Sequence, residues 1–227
     1  MNRTLIALPQ ANELYPLLTG FERHGHPIES IRIGIMECFA IPSLGIVTTI
    51  GGHGKTQFAV QSQYLIDRGE FSELLCVGAA GSLMHECKFG DVVVATGTIE
   101  HDYKIRFISA KLPNHAPHQG MLDGIRKVAD TFSFPFRIHF GPIASGDEDI
   151  VDEARAIELQ EATGALCVAW EGSGGARAAA FNRIGYLEVR CITDGSDSNA
   201  AASFHANCAS VIPNVADLLV RWQSLKL

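Results

Sequence analysis

Short runs of consecutive apolar, largely β-branched residues recur along this chain, separated by stretches with helical spacing. The runs at 4–8, 30–39, 44–50, 74–77, 91–96, 137–143, 165–169 and 187–193 predict strands. Several are continuous rather than alternating, as in DVVVAT at 91–96, which predicts burial on both faces of a sheet. Helices are predicted over 12–18 with Asn12 as cap, and over 56–67, 123–133, 153–163 and 174–183. The final stretch, HANCASVIPNVADLLVRWQSL, predicts a helix bent or interrupted near Pro213. Strands and helices alternate without linker or repeat. Residues 1–227 are therefore expected to form a single domain, a three-layer α/β/α protein around a mixed, mostly buried central sheet. The polar stretch 101–120 is a long loop in this reading, and long loops in tight domains serve sites or interfaces.

Composition narrows the classes. Hydrophobic residues make up 47% of the chain and charged residues 19%, so some apolar surface is expected to be covered by a second subunit. A net charge of −7 with no basic run argues against nucleic-acid binding. No segment has the length of a membrane span, and the N-terminus lacks a long apolar core, which predicts a cytoplasmic protein with no membrane partner. None of the six cysteines forms a CxxC pair, so buried, reduced thiols are expected. The nine histidines contain no HExxH or comparable cluster, so no metal is expected, and NHAPH at 114–118 is read as a solvated loop.

The chemistry is expected at the strand tips. The strand at 187–193 ends on Asp194, and TDGSDSNAAASF follows. An acid at the tip of a buried strand is costly unless something uses it. Other tips end in GAAG (78–81), ASGDEDI (144–150) and WEGSGG (170–175). Small residues such as Ala80 and Gly81 let a ligand approach the backbone, and ligands of open α/β sheets sit at strand carboxyl ends.

These tips carry a resemblance. In order and spacing, ALPQANEL, GGHGKT, GAAGSL with FGDVVVAT, ASGDEDIV, AWEGSGG and TDGSDSNAAASF resemble the nucleoside phosphorylase and nucleosidase superfamily, and within it the 5′-methylthioadenosine/S-adenosylhomocysteine nucleosidases. The resemblance implies hydrolysis of a purine N-ribosidic bond without a cofactor. It implies Asp194 as the acid that protonates the departing base, Glu171 as the carboxylate on the ribose hydroxyls, and Glu13 as the group that deprotonates water. It further implies Phe204 near the 5′ substituent, and Ala80, Gly81 and Ile150 lining the substrate. Finally, it implies a homodimer in which a neighbour's loop closes the 5′ pocket, with Ile105 and Phe107 of 101–120 as the apolar contributors. Three residues depart from the family pattern: Trp170 stands where Met is usual, His53 where an apolar residue is usual, and Asp149 where an aromatic often stacks on the base. Arg190 is expected in a buried ion pair.

Three other readings belong to the same fold. One is a nucleosidase for another modified nucleoside, such as a futalosine-like one, with His53 and Asp149 as the residues that would decide it. A phosphorylase needs cations or backbone donors for phosphate, whereas the loops here are acidic. A catalytically inactive nucleoside-binding protein would leave three mechanistic carboxylates without a role.

Overall fold

The apolar runs pair into one mixed sheet. The computed structural model describes residues 3–225. Along the chain these form β1 (Arg3–Leu8), α1 (Ala11–Arg23), β2 (Glu29–Ile33), β3 (Met36–Ile41), β4 (Ile46–Ile50), α2 (Lys55–Ile66), β5 (Phe71–Ser82) and β6 (Val92–Glu100). They continue with β7 (Asn114–His115), α3 (Gln119–Thr131), β8 (Ile138–Ser145), α4 (Glu153–Thr163), β9 (Cys167–Ala169), α5 (Gly172–Asn182), β10 (Gly185–Asp194), α6 (Ala200–Val211) and α7 (Pro213–Ser224). The sheet order is β2-β3-β4-β1-β5-β9-β8-β6-β10, and β10 pairs back onto β5. Strands β5, β9, β8, β6 and β10 thus close a ring, while β1 to β4 extend from it as an open wing.

Alternation along the buried strands explains the continuous apolar runs. Leu75 and Val77 of β5, with Leu187, Val189 and Cys191 of β10, face a core built with α1, α3 and α7. Leu74 and Cys76, with Tyr186, face the other way against Phe58 and Leu65 of α2 and Ala176 and Ala179 of α5. Both faces are covered, which is the expected three-layer arrangement.

The structure corrects several element boundaries. The single strand expected over 30–39 is a hairpin, β2 and β3, turning at Gly34, whose φ of +58° suits glycine. GAAG does not end a strand but lies within β5, where the missing side chains leave room for neighbours. The terminal helix starts earlier, at Ala200, and is two helices, with Pro213 at the first position of α7. Helix α1 is capped by Gln10 rather than Asn12. Pro16 lies inside α1 and lacks the N–H that would bond the Asn12 carbonyl; the Cys208 thiol donates to that carbonyl instead, at 3.3 Å. His115 is half-buried in β7, which pairs with β6, rather than solvated. All six cysteines are free and buried.

Candidate active site

The tips of β1, β5, β9 and β10 converge on a cleft of about 260 Å³. Each wall is placed by local sequence. Glu13 is the third residue of α1, where its Oε2 accepts from the Gln10 backbone N–H at 3.1 Å and closes a capping box. Its Oε1 reaches into the cleft and accepts from the Ala79 N–H at 2.7 Å. Gly78 permits this approach, because a Cβ there would lie 2.7 Å from Glu13 Oε1. The helix cap and the site are therefore one arrangement. Glu13 is 2% exposed, and burial, then the Glu171 charge, lifts its carboxyl to about 8 against the pull of Ala79 N–H and Arg190.

Glu171 stands at the N-cap of α5. Its Oε1 accepts from Gly54 N–H at 3.2 Å, and its Oε2 from Arg190 Nη2 at 3.2 Å. Arg190 also binds Glu188 through Nε at 2.8 Å, so the expected buried ion pair is a shared one. Beside it, the His53 ring lies against Trp170, centroids 4.3 Å apart, with Nδ1 3.5 Å from Glu171 Oε1 and 3.4 Å from Gln10 Nε2. The two departures at 53 and 170 are thus in contact, their rings tilted by 31°, on the Glu171 side of the cleft.

Asp194 ends β10. Its Oδ1 accepts from Ser196 N–H at 3.0 Å and its Oδ2 from Thr193 Oγ1 at 2.9 Å. Burial raises its carboxyl above the usual range, partly offset by those two donors. Gly81 leaves room for these groups: a Cβ would lie 2.7 Å from Asp194 Oδ1 and collide with Ser196 Oγ, so both side chains would have to move. Ser196 itself holds φ at +53°, a strained value for serine, to direct its N–H at the carboxylate.

Of the sequence-predicted residues, Glu13, His53, Ala80, Gly81, Asp149, Ile150, Trp170, Glu171, Asp194 and Phe204 line this cleft. Ile105 and Phe107 do not; they are exposed on the loop after β6. The cleft also contains Gln10, Glu148, Ser196 and His205, which the sequence reading missed. Lys55 points away from the cleft and laces its loops together. Its Nζ contacts Glu100 at 3.0 Å and Asp102 at 2.5 Å, and its N–H donates to Asp147 Oδ1 at 2.8 Å.

The electrostatics are one-sided. Glu13, Glu148, Asp149, Glu171 and Asp194 line the cleft, Glu148 held from outside it by Arg155, and the one guanidinium among the lining residues, Arg190, is already engaged by Glu171 and Glu188. Among the described residues no group of three His, Cys, Asp or Glu is arranged to hold a metal ion. Nor is any helix among them long and apolar enough to cross a membrane. What the cleft offers is two buried carboxyls raised above the usual range, Glu13 and Asp194, and a third carboxylate, Glu171, anchored by Arg190.

Comparison with known proteins agrees with this architecture. The model of the phosphorylase superfamily matches residues 14–223. A 5′-methylthioadenosine/S-adenosylhomocysteine nucleosidase of Mycobacterium bovis is 24% identical over 203 residues, which cover 78% of this chain and 80% of that protein. The crystal structure of the Helicobacter pylori nucleosidase of the same name superposes with a TM-score of 0.87 at 21% identity, covering 100% of this chain and 99% of that one. A Helicobacter pylori futalosine hydrolase gives 0.85 at 22% identity, covering 100% and 98%. At such identities the superpositions establish the fold.

Proposed function

Since the chain belongs to the phosphorylase superfamily, we propose that it hydrolyses the N-glycosidic bond of a purine nucleoside, with 5′-methylthioadenosine and S-adenosylhomocysteine as substrates, releasing adenine and the thioribose. The observation that carries this reading is the convergence of buried Glu13, Glu171 and Asp194 on one cleft. Protonated Asp194 donates to a ring nitrogen of the base as the C1′–N bond breaks and its electron pair leaves with the base. Glu171 binds ribose hydroxyls and stabilises the positive charge that develops on the sugar. Ionised Glu13 takes a proton from water, whose oxygen bonds to C1′. Two acids with separate environments thus take opposite proton roles, as in paired-carboxylate glycoside hydrolysis.

Water rather than phosphate is the nucleophile in this proposal, because the one guanidinium lining the cleft is already paired with Glu171 and Glu188, and a phosphate ion would meet no unpaired Lys or Arg among the lining residues. The nucleosidase names of the relatives support the same choice. Loop 101–113, with Ile105 and Phe107 exposed, is proposed to close the cleft of a second copy in a homodimer, which would be the apolar partner these side chains lack. A cytoplasmic location and a part in methionine salvage belong to the same proposal.

The test is base release from methylthioadenosine, adenosylhomocysteine, adenosine and inosine, each with and without phosphate. Adenine from the thionucleosides without phosphate supports the proposal. Release only with phosphate, as a sugar 1-phosphate, makes the protein a phosphorylase. No release from any of the four overturns this substrate assignment and leaves either a nucleosidase for another modified nucleoside, fitted to His53 and Asp149, or a binding protein.

A further inference from the structure

Glu188 is fully buried in β10, and no step above uses it. A carboxylate without water is costly unless paired, and an apolar residue would suit this strand better. The chain nevertheless makes room for it. A Cβ on Gly172 would lie 2.5 Å from the Glu188 carboxyl carbon and closer still to Oε2. Oε2 accepts from Thr98 Oγ1 at 2.7 Å, and Oε1 accepts from Arg190 Nε at 2.8 Å. The remaining nitrogens of Arg190 are shared. Nη2 donates to Glu171 Oε2 and to Cys76 Sγ, both at 3.2 Å, and Nη1 to the Ala79 carbonyl at 3.4 Å. Glu13 Oε1 lies on the same side: a Cβ on Gly78 would be 2.7 Å from it and 2.8 Å from Arg190 Nη1. One guanidinium therefore hydrogen-bonds two buried carboxylates and acts on a third, Glu13, across a longer gap, and its shortest bond goes to the one outside the cleft.

We propose that Glu188 is a positioning residue: by engaging the Nε edge of Arg190 it limits the hold of that guanidinium on Glu171 and Glu13, and so keeps Glu13 basic enough to take a proton from water. This rests on the proposed reading of Glu13. Ionising all three carboxylates around one cation leaves a surplus of negative charge in a dry cluster, so a proton is retained there; burial raises Glu188 as well as Glu13, with Arg190 and Thr98 holding Glu188 down. Burial and Glu171 already raise Glu13 to about 8, and Arg190 is the cation that opposes them. The other titratable groups facing the cluster are Cys76 on β5, Cys208 on α6, Cys167 on β9 and Tyr186 on β10. Burial raises each of them, so they stay neutral. His53 approaches Glu171 Oε1 from the loop before α2.

Two variants test this. Glu188→Gln keeps the shape and removes the charge; Glu188→Val with Gly172→Ala removes the charge and fills the slot. Two readouts are needed: the pH dependence of kcat/KM for base release, and the titration of the 13C-labelled Glu13 carboxyl in the unliganded protein. Freed from Glu188, Arg190 holds Glu13 more tightly. The Glu13 titration and the acid limb of the rate profile should therefore both move down by about one pH unit or more in each variant. The proposal is overturned if either variant folds and Glu13 titrates as in the parent, even if melting temperature or KM changes. Should the parent release no base, the carboxyl titration still decides the role of Glu188, while the failed release counts against the nucleosidase reading alone.

Discussion

Replacing Glu13 by Gln should change the sign of a stability difference between pH 5 and pH 8. The Glu13 carboxyl is 2% exposed and raised from 4.5 to about 8. In the unfolded chain it ionises near its ordinary value. Between pH 4.5 and 8 the unfolded chain thus gives up a proton that the folded chain keeps, and stability falls as pH rises through that window. The slope is about 1.4 kcal/mol per pH unit, so the loss approaches about 5 kcal/mol by pH 8. Glutamine does not titrate. Its amide oxygen still accepts from Ala79 N–H, but its NH₂ then meets Gln10 N–H, donor against donor. That clash costs about 1–3 kcal/mol. At pH 5 the variant should be less stable than the parent by close to that amount. At pH 8 it should be more stable by about 2–4 kcal/mol, a rise in melting temperature of roughly 5–15 °C. Base release should fall about 100- to 10,000-fold at pH 8 and by much less at pH 5, where the parent's Glu13 is itself protonated. The assay is paired thermal and urea unfolding of the two proteins at each pH, which cancels the titration of every other group. A stability difference of the same sign and size at pH 5 and pH 8 would refute the reasoning, because Glu13 would then not hold a proton in the folded state.

Three further outcomes are expected. Asp194→Asn keeps an acceptor for Ser196 N–H but cannot donate a proton as an acid, so kcat for base release should fall about 100- to 10,000-fold with KM little changed, measured by adenine absorbance or chromatography. Gly81→Ala places a methyl 2.7 Å from Asp194 Oδ1 and into Ser196 Oγ, so it should cost about 100-fold or more in kcat/KM while circular dichroism stays that of the parent. Phe107→Ser should raise KM by about 10-fold and weaken self-association in sedimentation velocity if the loop closes a second copy's cleft; an unchanged KM and an unchanged sedimentation coefficient would remove the loop from the site.

The parts of this molecule that were legible in its sequence are those decided by local physics. Continuous apolar runs announced strands covered on both faces, and helix α4 falls on its predicted span because Asp152 caps it and Gly164 ends it in the left-handed region. Asp194 was legible because an acid closes an apolar run. Glu13 carried a weaker signal, since a first-turn acid in a helix is ordinary; here the capping-box residue and the cleft residue are the same side chain. The hairpin at Gly34 was missed because the apolar pattern runs straight through its turn. Closure of the sheet through the β10–β5 and β9–β5 pairings depends on register between distant segments, which no local pattern encodes. The shared guanidinium had a signal that could have been used: in LEVR, Glu188 and Arg190 alternate and so fall on one strand face. Gln10 and Glu148 lie within ALPQANEL and ASGDEDI and His205 follows Phe204, but only tertiary placement shows that these three side chains line the cleft.

The central claim is that this cleft breaks a nucleoside bond with water. It is tested most directly by turning over methylthioadenosine in ¹⁸O-labelled water with phosphate present, and weighing the sugar product. The account predicts free thioribose bearing one heavy oxygen at the anomeric position. A sugar 1-phosphate without the label would contradict it.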